Sequence, residues 1–295
     1  MRAFLQISFL TALFGGGYYA MRTIPATNCS FLHYQQMQVT SDGLQYCCSG
    51  ATYFVDLDQL PFPVTLTLTP DTPPQQGVES HYTLRITDNG GNTFTPSQLA
   101  ITQTRKLHLL LVDQNLEDYQ HIHPEPVGET GDWTFSFTPR TGGTYRAYAQ
   151  FMPSLTMSEM IAEAKLPVKG EDEPSVIRGM APFKQDGYIY KLVSSVNPVT
   201  AGVRTQLTLS VQRADGGNVV LQPVMDTLAH LVAFDPTRDG VAHLHPTQTG
   251  NEKNPTDPQL SFLINFLKPG RFRVWGQVKI DGQERYVPFD VDVQG

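Results

Sequence analysis

The chain has 295 residues with 24 Gly, 22 Pro, 16 Phe and 12 Tyr, enough for about two domains and richer in turn and strand formers than in helix formers. A formal net charge of −7 and the lack of a Lys/Arg cluster argue against a nucleic-acid partner. The three cysteines, Cys29, Cys47 and Cys48, all precede the bulk of the chain, so the remainder is not a disulfide-stapled scaffold and must be held by its cores.

In chain order, Met1-Arg2 is followed by an apolar run that ends near Met21. A short basic start and an apolar body read as an export signal. Residues 3–21 are just long enough for a bilayer-crossing helix, and no clean A-x-A cleavage site follows. Residues 1–22 are therefore expected to be a membrane anchor or, as the alternative, a cleaved signal. Either places the rest outside the cytoplasm, in the periplasm or at the cell surface.

Residues 23–59 form a cysteine-containing segment. Cys29, Met37-Gln38-Val39, Gly43, Tyr46 and Cys48-Ser49 fall in an order that resembles the small YHS/TRASH-like metal-binding modules, although Cys47 stands where Phe is usual and the closing Cys is missing. Cys29, Cys47 and Cys48, with His33 and Met37, are soft donors that suit Cu(I) or Zn. A structural disulfide from Cys29 to Cys47 or Cys48 is the competing reading.

Residues 60–168 alternate as strands: Val64–Thr69, Ser80–Asp88, Trp133–Thr138 and Tyr145–Phe151, with Lys165–Val168 closing the set. Lys106–Val112 is apolar on both faces, which predicts a central strand. Gly143-Thr144-Tyr145 resembles the tyrosine corner of Greek-key sandwiches. Met152–Ala164 is the only passable helix, and its three methionines read either as an apolar helix face or as a soft copper-acquiring one. Residues 169–182 are a charged, Pro-bearing linker, and residues 183–295 repeat the strand order through Ile189–Val196, Gln206–Arg213, Leu228–Phe234, Leu260–Leu267 and Tyr286–Val293. The expected fold is all-β: two tandem immunoglobulin-like β-sandwiches after an N-terminal hydrophobic helix.

The sharpest signal is a repeat. His108, His121 and His123 recur as His230, His243 and His245 at a fixed offset of 122 residues, and Pro124 recurs as Pro246. In a strand, i and i+2 share a face, so His121 and His123 project together, as do His243 and His245. If His108 and His230 lie on strands neighbouring their pairs, the three imidazoles of each copy converge within ligand range. Three neutral imidazoles suit Cu(II) or Zn and leave a coordination position open. The same pattern is also what a duplicated structural corner of hydrogen-bonded histidines would give. Both copies also carry Arg-x-aromatic-x-Gln, as Arg146-Tyr148-Gln150 and Arg273-Trp275-Gln277. The glutamines are candidate partners for the histidines, or simply part of a solvent face.

The run His…Asp…His-x-His-Pro followed by Gly-x-Tyr-Arg-x-Tyr-x-Gln resembles exported bacterial Ig-like domains of the YtkA/FixH-like type. The resemblance implies copper handling and a metalloprotein or oxidase-assembly partner. The function expected is an extracytoplasmic metal-binding protein, copper before zinc, acting as a carrier or assembly factor with one site per repeat. The alternative is a non-enzymatic cell-surface scaffold or adhesion module with structural histidines. No nucleophilic triad, paired carboxylates or phosphate loop is evident, so catalysis is not expected; a copper/zinc oxidoreductase is the remote alternative.

Overall fold

The computed structural model describes residues 6, 11–12, 14–16, 36–40, 43–47, 52–59, 62–225, 227–249 and 254–295. Of the expected apolar helix over residues 3–21, Gln6, Thr11, Ala12 and Phe14–Gly16 are helical and the rest lies outside the described residues. Among the described residues no helix is long and apolar enough to cross a membrane. Met1–Tyr34 forms one compact unit and Gln35–Gly295 another; all that follows concerns the second.

Seven strands build the first sandwich: β1 (Val64–Pro70), β2 (Ser80–Asp88), β3 (Leu107–Val112), β4 (Tyr119–Ile122), β5 (Asp132–Phe137), β6 (Gly143–Phe151) and β7 (Met160–Val168). One sheet runs β5-β2-β1, extended by Glu125–Pro126 beside β5; the other runs β7-β6-β3-β4. The second sandwich repeats this with β8 (Tyr188–Ser194), β9 (Arg204–Arg213), β10 (Ala229–Phe234), β11 (Gly240–Leu244), β12 (Gln259–Asn265), β13 (Gly270–Ile280) and β14 (Gln283–Gln294). Its sheets run β8-β9-β12 and β14-β13-β10-β11. This is the immunoglobulin-like strand order, in tandem.

The alternation along each strand explains the packing. In β3, Leu107, Leu109 and Leu111 enter the core of the first sandwich with Tyr82, Leu84 and Trp133, while Leu110 and Val112 face away from it. In β10, Leu231 and Ala233 enter the second core, and Val232 and Phe234 face away. Those outward residues do not meet solvent. They join Tyr119, Tyr148, Val241 and Trp275 in a third apolar cluster, where the β3/β4/β6 sheet packs on the β10/β11/β13 sheet. β3 and β10 are thus apolar on both faces because each is covered twice, once by its own sandwich and once by the other repeat.

Tyr145 does form a corner: its hydroxyl donates to Asp118 Oδ2 at 2.7 Å and lies 3.3 Å from the Thr141 carbonyl. Two expectations are corrected. Residues 152–164 are not a helix. Pro153 and the positive φ of Met157 (50°) break the run, and β7 pairs Met160 with Phe151 so that hairpin hydrogen bonding overrides a weak helical preference. Nor is the whole of residues 23–59 a separate segment. Thr52–Tyr53 pairs in parallel with the end of β12, Val55–Asp56 pairs with β11, and Phe54 is fully buried in the second core against Phe272. The linker is also pinned rather than loose: Arg178 is paired with Glu117 of the first sandwich at 2.6 Å, and its backbone N–H donates to Asp290 of the second at 2.5 Å.

Candidate metal centre

Six of the histidines meet in the seam between the two sheets. β3 delivers His108 and β10 delivers His230; β4 and β11 deliver His121 and His243, and the residues just beyond them His123 and His245. His108, His121, His230 and His243 are buried, and His123 and His245 half-buried. Within the first repeat, ring centroids are 5.4 Å apart for His108–His121 and 4.8 Å for His108–His123. Within the second they are 4.9 Å for His230–His245 and 4.7 Å for His243–His245. Across the seam His121 lies 4.8 Å from His243 and 5.4 Å from His230. The two sets expected one per repeat therefore abut as a single group of six.

The hydrogen bonds fix which nitrogens are bare. His108 Nε2 is 2.8 Å from the Thr102 carbonyl, which only accepts, so this nitrogen carries the proton and Nδ1 is bare. Thr102 is held there by a tight turn whose two central residues, Gln103 and Thr104, both take positive φ (49° and 69°) without being glycine. Gln277 donates its amide to Glu284 Oε2 at 2.9 Å and Tyr286 Oη at 3.0 Å, so its oxygen faces His121 Nδ1, 3.2 Å away. His121 Nδ1 is thus the donor and Nε2 is bare. The arrangement is reciprocated: His243 Nδ1 donates to Gln150 Oε1 at 2.8 Å, and Gln150 is bonded in turn to Glu159.

Bare His108 Nδ1 and bare His121 Nε2 then face each other at 3.2 Å, with His123 Nε2 at 3.1 Å from the same His108 atom. A single proton on His123 satisfies only one of these lone pairs. In the second set, His230 Nδ1 and Nε2, His243 Nε2 and His245 Nε2 are buried with no hydrogen-bond partner among the described residues. Each such atom costs on the order of 1–3 kcal/mol. A bound cation relieves both defects. Two ligands of a tetrahedral ion at ~2.05 Å stand about 3.3 Å apart, close to the separations found here. The residues present therefore fit a metal ion.

The electrostatics agree. Burial, with a smaller contribution from Arg105, pushes His108 down to about 4, despite its bond to Thr102. Burial and then neighbouring His108 bring His123 to about 3, and the same two causes bring His245 to about 3. His121, His230 and His243 are held well below the usual imidazole value, chiefly by burial. Six neutral nitrogen donors with no carboxylate among them suit copper or zinc rather than calcium or magnesium.

The Arg-x-aromatic-x-Gln stripes are not solvent faces. Each reads the other repeat: Arg146 reaches Asp239 at 3.4 Å and Arg273 reaches Glu117 at 3.1 Å, while the glutamines take the histidines. Contacts that exchange in this way are the signature of a two-fold relation. Thr102, Glu159 and Glu284 went unnoticed in the sequence. The available signal was that Glu159 and Glu284 each lie two residues before the position paired with Gln150 or Gln277 across a hairpin. Cys29 and Cys48 lie outside the described residues, and Cys47 is described only as the end of the strand Gly43–Cys47. That strand's backbone pairs with Ile101–Thr102, beside the turn that holds His108.

No curated protein matches the chain. Among solved structures, the native conformation of Escherichia coli alpha-2-macroglobulin is 11% identical over 78% of this chain and 17% of its own (TM-score 0.28). A DUF4785 family protein from Legionella pneumophila is 10% identical over 79% and 57% (TM-score 0.25). A putative membrane anchored protein from Corynebacterium diphtheriae is 11% identical over 80% and 59% (TM-score 0.23). The chain thus spans less than two thirds of each of these structures, and at these scores they add nothing to the assignment of the centre. The family described as Domain of unknown function (DUF8832) matches residues 62–169 and again 183–295, so the chain belongs to that family and carries its domain twice.

Proposed function

We propose that the protein binds copper or zinc in the seam between its two repeats and serves outside the cytoplasm as a metal carrier or assembly factor. The observation that carries this reading is the pair of bare nitrogens, His108 Nδ1 and His121 Nε2, facing each other at 3.2 Å amid further orphaned imidazole nitrogens. A packing role would have no use for opposed lone pairs, because such an arrangement destabilises the fold unless something positive lies between. The likeness to YtkA/FixH-like domains favours copper and an oxidase-assembly partner; the apolar start of the sequence supports the placement outside the cytoplasm and attachment to a membrane.

Titration of the full chain with Cu(II) or Zn(II), with Cys29→Ser, Cys47→Ser and Cys48→Ser to remove the competing thiols, tests the reading. Binding at micromolar concentration whose stoichiometry or affinity falls on His108→Ala with His121→Ala is the expected result. No binding by the parent chain leaves the histidines as structural groups and the protein as a scaffold or adhesion module.

A further inference from the structure

Resting on the metal reading above, we propose that the centre is binuclear, with one ion held by His108, His121 and His123 and a second beside it held by His230, His243 and His245. The argument is a count of free nitrogens. His108 has spent Nε2 on Thr102, and His121 and His243 have spent Nδ1 on Gln277 and Gln150, so each of these rings has one nitrogen left to give. Copper and zinc take three or four protein nitrogens. Six rings exceed one ion and match two.

Position gathers the first three around His108 and the second three as a set. His108 Nδ1 lies 3.2 Å from His121 Nε2 and 3.1 Å from His123 Nε2. Donor atoms of His230, His243 and His245 lie within 4.8 Å of one another. A mixed set, His108, His121 and His243, also has its donor atoms within 4.8 Å and offers a place for one ion on the boundary. That solution leaves both nitrogens of His230 and Nε2 of His245 still without partners, whereas a second ion takes His245 Nε2 and one of the two His230 nitrogens. It also shows that the two sets have no wall between them, so the two ions are neighbours. Gln150 and Gln277 tie the halves together, since each ion has a ligand oriented by the opposite repeat.

Native mass spectrometry of the full chain carrying the three Cys→Ser substitutions, with Zn(II) added, decides the point. Two ions in the parent chain and one in each of His108→Ala and His230→Ala is the expected result. A single ion in the parent, lost in both variants, overturns the pair while leaving metal binding intact. No ion in the parent overturns the metal reading and the pair with it. Should either variant fail to fold, the paramagnetic resonance spectrum of the parent saturated with Cu(II) takes its place: a half-field transition from two coupled ions is expected, and the spectrum of magnetically isolated ions overturns the pair.

Discussion

His121 and Gln277 lie on different repeats, 156 positions apart in sequence, and the imidazole of one is oriented by the amide of the other at 3.2 Å. His243 and Gln150 repeat the relationship in the opposite direction at 2.8 Å. Neither repeat can set the tautomer of its own central histidine without its neighbour.

The first prediction concerns that bond. Gln277→Leu keeps the bulk of the side chain and removes the acceptor, leaving His121 free to adopt the other tautomer. Second-sphere losses of this kind cost roughly 10–100-fold in metal affinity. Calorimetric titration with Zn(II) should show that loss with the stoichiometry unchanged. A fall in thermal stability with the affinity intact would mean that the glutamine only packs.

The apo protein should weaken in acid. The folded value of His108 is about 4, below the unfolded value of about 6.5, so below pH 6.5 the unfolded chain binds the proton that the folded chain refuses. Stability is therefore full above about 6.5 and declines as pH falls towards 4. For His108 alone the decline between pH 7 and 5 is about 2 kcal/mol, and His123 and His245, lowered to about 3, add to it in the same direction. Urea unfolding midpoints at pH 7.5, 6 and 5 check the slope; a midpoint that stays put would show that the imidazoles are not buried.

Arg273 is a third test. It is buried at 2% exposure and donates to Asp290 at 2.7 Å, to the Leu116 carbonyl at 2.6 Å and to the Val176 carbonyl at 2.7 Å, so it touches both sandwiches and the linker. Burial alone would raise the Glu117 carboxyl, yet Arg178 and Arg273 hold it below the usual range. Arg273→Ala leaves the buried Asp290 without its ion pair, while Glu117 keeps Arg178, at a cost of roughly 3–5 kcal/mol. Chemical denaturation should show that loss, and Zn(II) affinity should drop with it, because the seam and the centre share the docking.

The fourth concerns Phe54, which has no exposed surface and lies edge-on to Phe272 with ring centroids 4.9 Å apart. Phe54→Ala should destabilise the second sandwich by about 3–5 kcal/mol, measured by urea unfolding. A change of only a few tenths would detach residues 52–57 from that core.

Much of the fold was legible in the sequence because period-two alternation and turn residues are local signals. Val64–Pro70 and Ser80–Asp88 fall within a residue of where the pattern puts them. The histidine sets were legible because the repeat prints them twice. What local pattern cannot carry is contact between distant strands. Lys106–Val112 reads as doubly apolar, but nothing in it says that its second cover is another domain. Gln150 reads only as a candidate partner for the histidines; it lies opposite His108 in register, yet it bonds to His243. Local pattern places Phe54 with the cysteine segment for the same reason: its ring partner Phe272 lies 218 positions away in sequence.

The exchanged contacts have a consequence for the single domain. A face that carries both a histidine and the glutamine that receives one, both an arginine and the acid that receives one, is complementary to its own copy after a half-turn. Two separate chains bearing such a face would have to find each other from dilution. The 169–182 segment joins the two copies, making the encounter intramolecular at an effective concentration on the order of millimolar. In that sense the tandem chain is a dimer closed by covalent bonds, free to let its halves diverge while keeping the join between them.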